Sequence, residues 1–431
     1  MKFLANKTDK LSGTITIPGN KSGTARALLL GALGDGVTTI NNPLTNIDSY
    51  SIIKMLKLLG IEIDYSDNSK WIVYGKGGRL DQPSNVLDAE NSGTGYYIIT
   101  ALACLIEAKS VISGDYQICY RPAGPLVNAL NDLGAKCFST RNNGLAPLVT
   151  EGKLKGGKTS LPHNNSQWLT PVLIASALAE NDTEITISGG EMMEQPYINM
   201  TIGMLKQCGV TIEHDNHQKY YVKGRQHFKA TEFTIPSDWG TSGYPLVATA
   251  ITGSSATFLG LNRNDYAGER AYFDILKAAG CDIEEIPGGV RINGLKQELI
   301  GQTVDCSGTP DAVPALAVLG CNSKGKTVLK NVGASRMKET DRTAIIKKEL
   351  EKMGGKFEET PDTLTIYPSK LHGAFIDGHH DHRIVMATSV AALNADGPSV
   401  IDNAEYAGVS YPNFYESLKS LGANIERLDI K

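Results

Sequence analysis

Residues 336–342 read R-M-K-E-T-D-R, with five ionisable side chains at the head of an amphipathic run from Thr343 to Met353. Two kinds of chemistry suit such a stretch. Glu339 and Asp341 could complement the dipole of a solvated helix start. Alternatively, Arg336, Lys338 and Arg342 could hold an anion while Glu339 handles protons.

Other polar groups stand just ahead of apolar runs: Gly19-Asn20-Lys21-Ser22, Asn91-Ser92-Gly93-Thr94, Asn165-Ser166-Gln167, Ser237-Asp238-Trp239-Gly240, Thr309-Pro310-Asp311 and His379-His380-Asp381-His382-Arg383. Ser, Thr, Asn and Asp are helix-capping types, and capping accounts for many of them. It does not account for Lys21, Gln167 or Arg383. The histidines suggest a metal, but Arg383 would repel a cation, so Asp381 is read as a cap with His382 packed beneath it. His214 and His217 fall between strand-like runs and read as surface loop.

The elements that must position these groups repeat along the chain. Apolar helical runs begin near Ala27, Ile98, Pro171, Pro245, Pro314 and Ala387, each followed by a short β-like stretch. Being apolar nearly all round, they are expected to be buried. An amphipathic helix and a strand follow each one, with glycine between them at 60, 134, 209, 280, 354 and 422, at gaps of 74, 75, 71, 74 and 68 residues. Glycine stops a helix because it takes the left-handed conformation without strain.

The expected fold is therefore α/β, a two-domain inside-out α/β barrel of six βαβαββ-type repeats, three per domain, with buried parallel helices. The expected domains are residues 20–235, and 1–19 plus 236–431, with crossings near 19–20 and 235–238. Three helix N-termini sharing one face in each domain would make a cleft for anions, ringed by Lys21, Arg26, Arg121, Lys338, Arg342 and Arg383.

Composition narrows the function. The 431 residues are 41% hydrophobic and 20% charged, with net charge −4, which argues against a nucleic-acid partner. No apolar run approaches the length of a membrane span, and no signal-peptide core is found near Met1, so a cytoplasmic protein is expected. Seven scattered cysteines without C-x-x-C spacing suggest neither a disulfide framework nor zinc; most read as small core residues, and Cys119 stands apart only because it lies two residues before Arg121.

The chain resembles the enolpyruvyl transferase family in its EPSP synthase branch. The resemblance rests on P-G-N-K-S-G-T-A-R from Pro18, N-S-G-T from Asn91, R-P-A-G-P-L-V-N-A-L from Arg121, S-Q from Ser166, Q-P-Y-I-N-M-T from Gln195, P-D-A-V-P-A-L-A from Pro310, R-M-K-E-T-D-R from Arg336, D-H-R from Asp381 and Y-P-N-F from Tyr411. It implies two domains of three repeats. It also implies carboxyvinyl transfer from phosphoenolpyruvate to a cyclic alcohol, shikimate 3-phosphate in this branch, with release of phosphate and with no metal or cofactor. The enzyme would be a monomer with small-molecule substrates only.

By similarity, Lys21, Gly93, Arg121, Gln167, Arg342 and Arg383 would hold phosphoenolpyruvate. Asp311 would be the base for the acceptor hydroxyl, and Glu339 would exchange protons with the methylene carbon; with Lys21 these form the catalytic set. Ser22, Arg26, Ser166, Tyr197 and Lys338 would bind the acceptor. The chain departs from the family pattern at Val409, in place of a donor-binding lysine, and at Tyr97, in place of an arginine. Asn165 and Gln195 replace serines and Ala334 an asparagine around the acceptor.

Those departures leave open a related enzyme acting on a different cyclic alcohol, or a non-catalytic anion-binding homologue. Transfer to a UDP-sugar fits less well, because Ser22 follows Lys21 where that branch has asparagine.

Overall fold

The computed structural model describes residues 1–428. It divides into a continuous unit, Gly19–Ile235, and a split unit formed by Met1–Pro18 and Pro236–Lys431. The first crossing lies one residue before the 19–20 step expected from the sequence.

The continuous unit carries α1 (Lys21–Leu33), α2 (Ile47–Leu58), α3 (Gly93–Ala103), α4 (Gly124–Asp132), α5 (Ser166–Ser176) and α6 (Gln195–Gln207). Helices α1, α3 and α5 are buried over nearly their whole length, as expected of segments that are apolar on every side. Helix α3 packs against both α1 and α5. The alternate helices bury one face only: α2 keeps Lys54 and Lys57 exposed while Ile52, Ile53, Met55 and Leu56 are buried.

The split unit repeats the scheme with α7 (Trp239–Ile251), α8 (Tyr272–Ala279), α9 (Val313–Cys321), α10 (Arg342–Lys352), α11 (His382–Ala392) and α12 (Phe414–Ser420). Here α7, α9 and α11 all touch one another, and their apolar side chains form one core with the sheets around them. The six glycines that close the amphipathic helices take φ of +81°, +91°, +79°, +113°, +89° and +94° in chain order. A Cβ at any of them would be strained, so the glycine period follows from backbone geometry.

Among the described residues there are six four-stranded sheets, three in each unit. Each has one parallel pair and two antiparallel pairs. A parallel pair needs a crossover, and within a repeat the inner helix supplies it.

Two lead strands come from far away in sequence. Glu232–Thr234 pairs parallel with Asp35–Asn41, and Ser12–Thr16 pairs parallel with Ser255–Leu259. Lys2–Ala5 lies between Ser399–Ile401 and Ile425–Leu428 in the last sheet of the split unit. Among the described residues no helix is long and apolar enough to cross a membrane.

Candidate active site

In each unit the sequence-selected residues stand at or just before helix N-termini: Lys21, Gly93, Gln167, Asp311 and Arg383 at the inner helices, and Tyr197, Glu339 and Arg342 at the outer helices α6 and α10. In the continuous unit, Asn20 caps α1 by accepting the Gly23 N–H at 2.7 Å. That cap fixes Lys21 as the first helical residue, and its Nζ lies 3.2 Å from Asp48 Oδ2, with the lysine only 17% exposed.

Arg26, one turn further, is buried. Its Nε donates to Thr201 Oγ1 at 2.9 Å and its Nη1 to the Ser22 carbonyl at 3.1 Å. Burial lowers the Arg26 pKa to about 10, while Tyr197 and Glu194 act in the opposite sense. A cation held largely by hydroxyls and a carbonyl is costly to bury.

Gly93 opens α3 behind the Ser92 cap, whose hydroxyl accepts the Gly95 N–H at 3.2 Å. A Cβ on Gly93 would stand 1.9 Å from Arg121 Nη1. Glycine is thus what allows the buried guanidinium to lie across the start of this helix. Asn165 caps α5, accepting the Gln167 N–H at 2.9 Å, so Ser166 and Gln167 occupy its first turn. Tyr197 is half-buried in the first turn of α6.

Tyr97, one of the departures from the family pattern, has a definite role in this geometry. Its hydroxyl donates to the Pro122 carbonyl at 2.9 Å, and Trp168 Nε1 donates to the same oxygen at 2.9 Å. Two buried aromatic donors therefore pin the segment that carries Arg121. Sequence alone did not assign Tyr97 or Trp168 to that task, because neither precedes Pro122 in a recognisable local pattern.

Cys119 is half-buried, with its Sγ 3.7 Å from the Gly114 carbonyl; the other six cysteines are buried and free. His217 lies in the turn between the strands Ile212–Asp215 and Lys219–Val222, but its side chain is buried, stacked on His214 at 4.1 Å and bonded to the Tyr220 hydroxyl at 2.8 Å, while His214 belongs to the first of those strands. Burial pushes its pKa down to about 4.

In the split unit, Asp311 sits in a tight turn just before α9. Its Oδ1 accepts from Arg342 Nη1 at 2.8 Å and its Oδ2 from Arg383 Nη2 at 2.8 Å. Burial alone would push this carboxyl up, but the charges of Arg383, Arg342 and Lys338 outweigh it and hold Asp311 well below the usual carboxylate range.

Arg342 is 1% exposed and serves two further carboxylates. Its Nε donates to Asp381 at 2.9 Å and its Nη2 to Glu339. Asp381 also caps α11 through the Arg383 N–H, and it accepts the Thr340 hydroxyl, each at 2.9 Å. His382 lies buried in the first turn of α11. Arg383 Nη1 donates to the Gly240 carbonyl at 2.6 Å, tying α11 to α7. Lys338, which follows the short helical turn at 333–337, is half-buried.

Arg336 departs from the anion-holding role open to it in the sequence. Its Nη1 bonds Glu359 at 2.7 Å and Asp341 at 3.1 Å, while Nε and Nη2 donate to the carbonyls of Pro361 and Thr360. All these partners lie around one turn and the start of α10, so Arg336 fastens the loop rather than facing a ligand. Asp341 caps α10 by accepting the Ala344 N–H at 3.0 Å.

Glu269 was missed by the sequence reading. It is 1% exposed, and burial together with the Asp311 charge pushes its pKa up to about 8. Nothing local marks it, since it becomes notable only through its approach to Asp311. Val409 and Ala334 are both buried, at 7% and 2% exposure.

Each unit has the ingredients of anion chemistry: guanidinium groups, lysines and helix N-termini, with paired carboxylates in the split unit. The family model for EPSP synthase (3-phosphoshikimate 1-carboxyvinyltransferase) matches residues 5–418. A 3-phosphoshikimate 1-carboxyvinyltransferase from Acetivibrio thermocellus is 40% identical over 423 residues, covering 98% of this chain and 99% of that protein. One of the same name from Ruminiclostridium cellulolyticum is 40% identical over 424 residues, with the same coverage. The crystal structure of EPSP synthase from Acinetobacter baumannii superposes with a TM-score of 0.81 at 27% identity, covering 99% of both chains. With a family match over nearly its whole length and full-length relatives at this identity, the chain belongs to the EPSP synthase family.

Proposed function

We propose that this protein transfers the carboxyvinyl group of phosphoenolpyruvate to the 5-hydroxyl of shikimate 3-phosphate and releases phosphate. Family membership supplies the reaction class, and the clamped Asp311 carboxylate is the observation that carries the assignment of roles. A proton must leave the acceptor hydroxyl while another reaches the methylene carbon of phosphoenolpyruvate. The acceptor oxygen then bonds to the cationic C2, giving a tetrahedral ketal. Return of the methyl proton and cleavage of the C2–O bond to phosphate complete the transfer.

Asp311 takes the hydroxyl proton in this scheme and Glu339 serves the carbon. Arg342 touches both carboxylates, so one buried cation couples the two proton steps. With Arg342 and Arg383 both bonded to it, Asp311 is a weak base. Phosphate and carboxylate groups of the donor would compete for those guanidiniums, loosen their hold and raise the basicity of Asp311 as the substrates bind. Lys21, Gly93, Arg121, Gln167, Arg342 and Arg383 are assigned to phosphoenolpyruvate. Ser22, Arg26, Ser166, Tyr197 and Lys338 are assigned to the acceptor. We further place the enzyme in the cytoplasm as a monomer, which sedimentation would check.

Steady-state release of phosphate from phosphoenolpyruvate, dependent on shikimate 3-phosphate, is the expected result. Absence of release at saturating concentrations would overturn the proposal. Asp311→Asn should lower kcat by about 10²- to 10⁴-fold, the usual worth of a positioned acid or base. A second reading, transfer to a related cyclic alcohol, is favoured by the buried apolar side chains of Val409 and Ala334, at positions where the resemblance to the family implies polar groups.

A further inference from the structure

Glu194 is tied to three of the residues assigned to the acceptor, its carboxylate to Ser166, its main-chain carbonyl to Tyr197 and its charge to Arg26. Glu194 precedes α6 with a left-handed backbone, φ +56°, and is 1% exposed. Its Oε2 accepts the Ser166 N–H at 2.7 Å, at the start of α5. Its carbonyl accepts the Tyr197 N–H at 3.0 Å. Its negative charge is also one of the two influences that keep the buried Arg26 guanidinium protonated.

A non-glycine residue with positive φ is strained, and a buried carboxylate is costly unless it is bonded and charge-compensated. The chain bears both costs to put an anion at the N-terminus of an eleven-residue helix, where backbone N–H groups and the helix dipole favour negative charge. The anion position at Ser166 is therefore already filled by the protein. A phosphoryl group could take the Ser166 N–H only by displacing Glu194. Were it to settle beside Glu194 instead, two anions would be in contact where water screens them little.

We propose that Glu194 sets acceptor specificity: its carboxylate competes with an acceptor phosphate for Ser166 and Arg26, so that its charge penalises phosphorylated acceptors relative to unphosphorylated ones. This rests on the assignment of Ser166, Arg26 and Tyr197 to the acceptor. Glutamine at this position keeps the shape and an accepting oxygen but removes the charge, whereas aspartate keeps the charge.

Calorimetric titration of the full chain with shikimate 3-phosphate, with shikimate and with phosphoenolpyruvate tests the idea. In Glu194→Gln the dissociation constant for shikimate 3-phosphate should fall by about tenfold or more. That for shikimate should change little and that for phosphoenolpyruvate not at all, and Glu194→Asp should show no gain. An unchanged or reduced preference for the phosphorylated acceptor in Glu194→Gln would overturn the proposal.

If Glu194→Gln does not fold, the wild type decides. A preference for shikimate 3-phosphate over shikimate below about a hundredfold supports the competing carboxylate, and a greater one overturns it. Phosphate release by the wild type is followed in parallel. Its absence would remove the functional reading, while the binding ratio would still report on Glu194.

Discussion

The two units bury their arginines in opposite ways. In the split unit Arg342 is surrounded by Asp311, Asp381 and Glu339, and Arg383 shares Asp311 with it. In the continuous unit Arg26 rests on the hydroxyls of Thr201 and Thr170 and the Ser22 carbonyl, with Glu194 contributing charge. The same repeat architecture thus supports a carboxylate-rich network on one side and a hydroxyl-rich cradle on the other. A network of shared carboxylates can pass protons and hold several charges in fixed relation. A cradle of neutral groups leaves a cation's charge to be met by whatever anion stands nearby.

The largest expected effect follows from the carboxylate network. Arg342→Met would leave three carboxylates without their shared cation and should cost about 3–5 kcal/mol, as breaking a buried pair usually does. Arg26→Met should cost less, about 1–3 kcal/mol, because neutral hydroxyls tolerate the loss better than carboxylates. Urea denaturation of both variants checks the contrast, and equal losses would break it.

A pH-dependent effect concerns Glu269, pushed up to about 8 from the ordinary 4.5 by burial and Asp311. Between those values the folded protein keeps a proton that the unfolded chain has lost, so stability falls as pH rises across the window. Glu269→Gln removes this dependence. Its advantage over the wild type should grow from pH 5 to pH 8, by at most about 1.4 kcal/mol per pH unit, and thermal melts at the two pH values would show it. A constant difference would mean that Glu269 is ionised in the folded state.

The smallest expected effect lies in the continuous unit. Tyr97→Phe removes one of two donors to the Pro122 carbonyl and should cost about 0.5–1.5 kcal/mol, with Trp168 still in place. Because the pinned segment carries Arg121, KM for phosphoenolpyruvate should rise more than kcat falls. A change in kcat alone would argue that Tyr97 does not act through Arg121.

Much of this architecture was legible before any coordinates. The six glycines with positive φ and the six all-apolar helices are local signals, because helix termination and burial depend on residues a few positions apart. Asn20, Ser92, Asn165 and Asp381 are likewise caps where their residue types suggest. Arg336 shows where that legibility ends. It stands beside Lys338 and Glu339 in the same charged stretch, yet its partner Glu359 lies twenty-three residues away and draws it out of the cluster.

The sequence by itself determined the repeat, the inner and outer helices and the inventory of charges ahead of the inner helices, since all of these are written in short-range pattern. Only the tertiary structure decided which charge meets which: Arg342 with Asp311 and Asp381, Ser166 with Glu194, Tyr97 with the Pro122 carbonyl. Those pairings join residues from about 25 to nearly 40 positions apart. Periodicity says that a side chain is buried or exposed, whereas the partner of a buried charge depends on how separate elements approach one another.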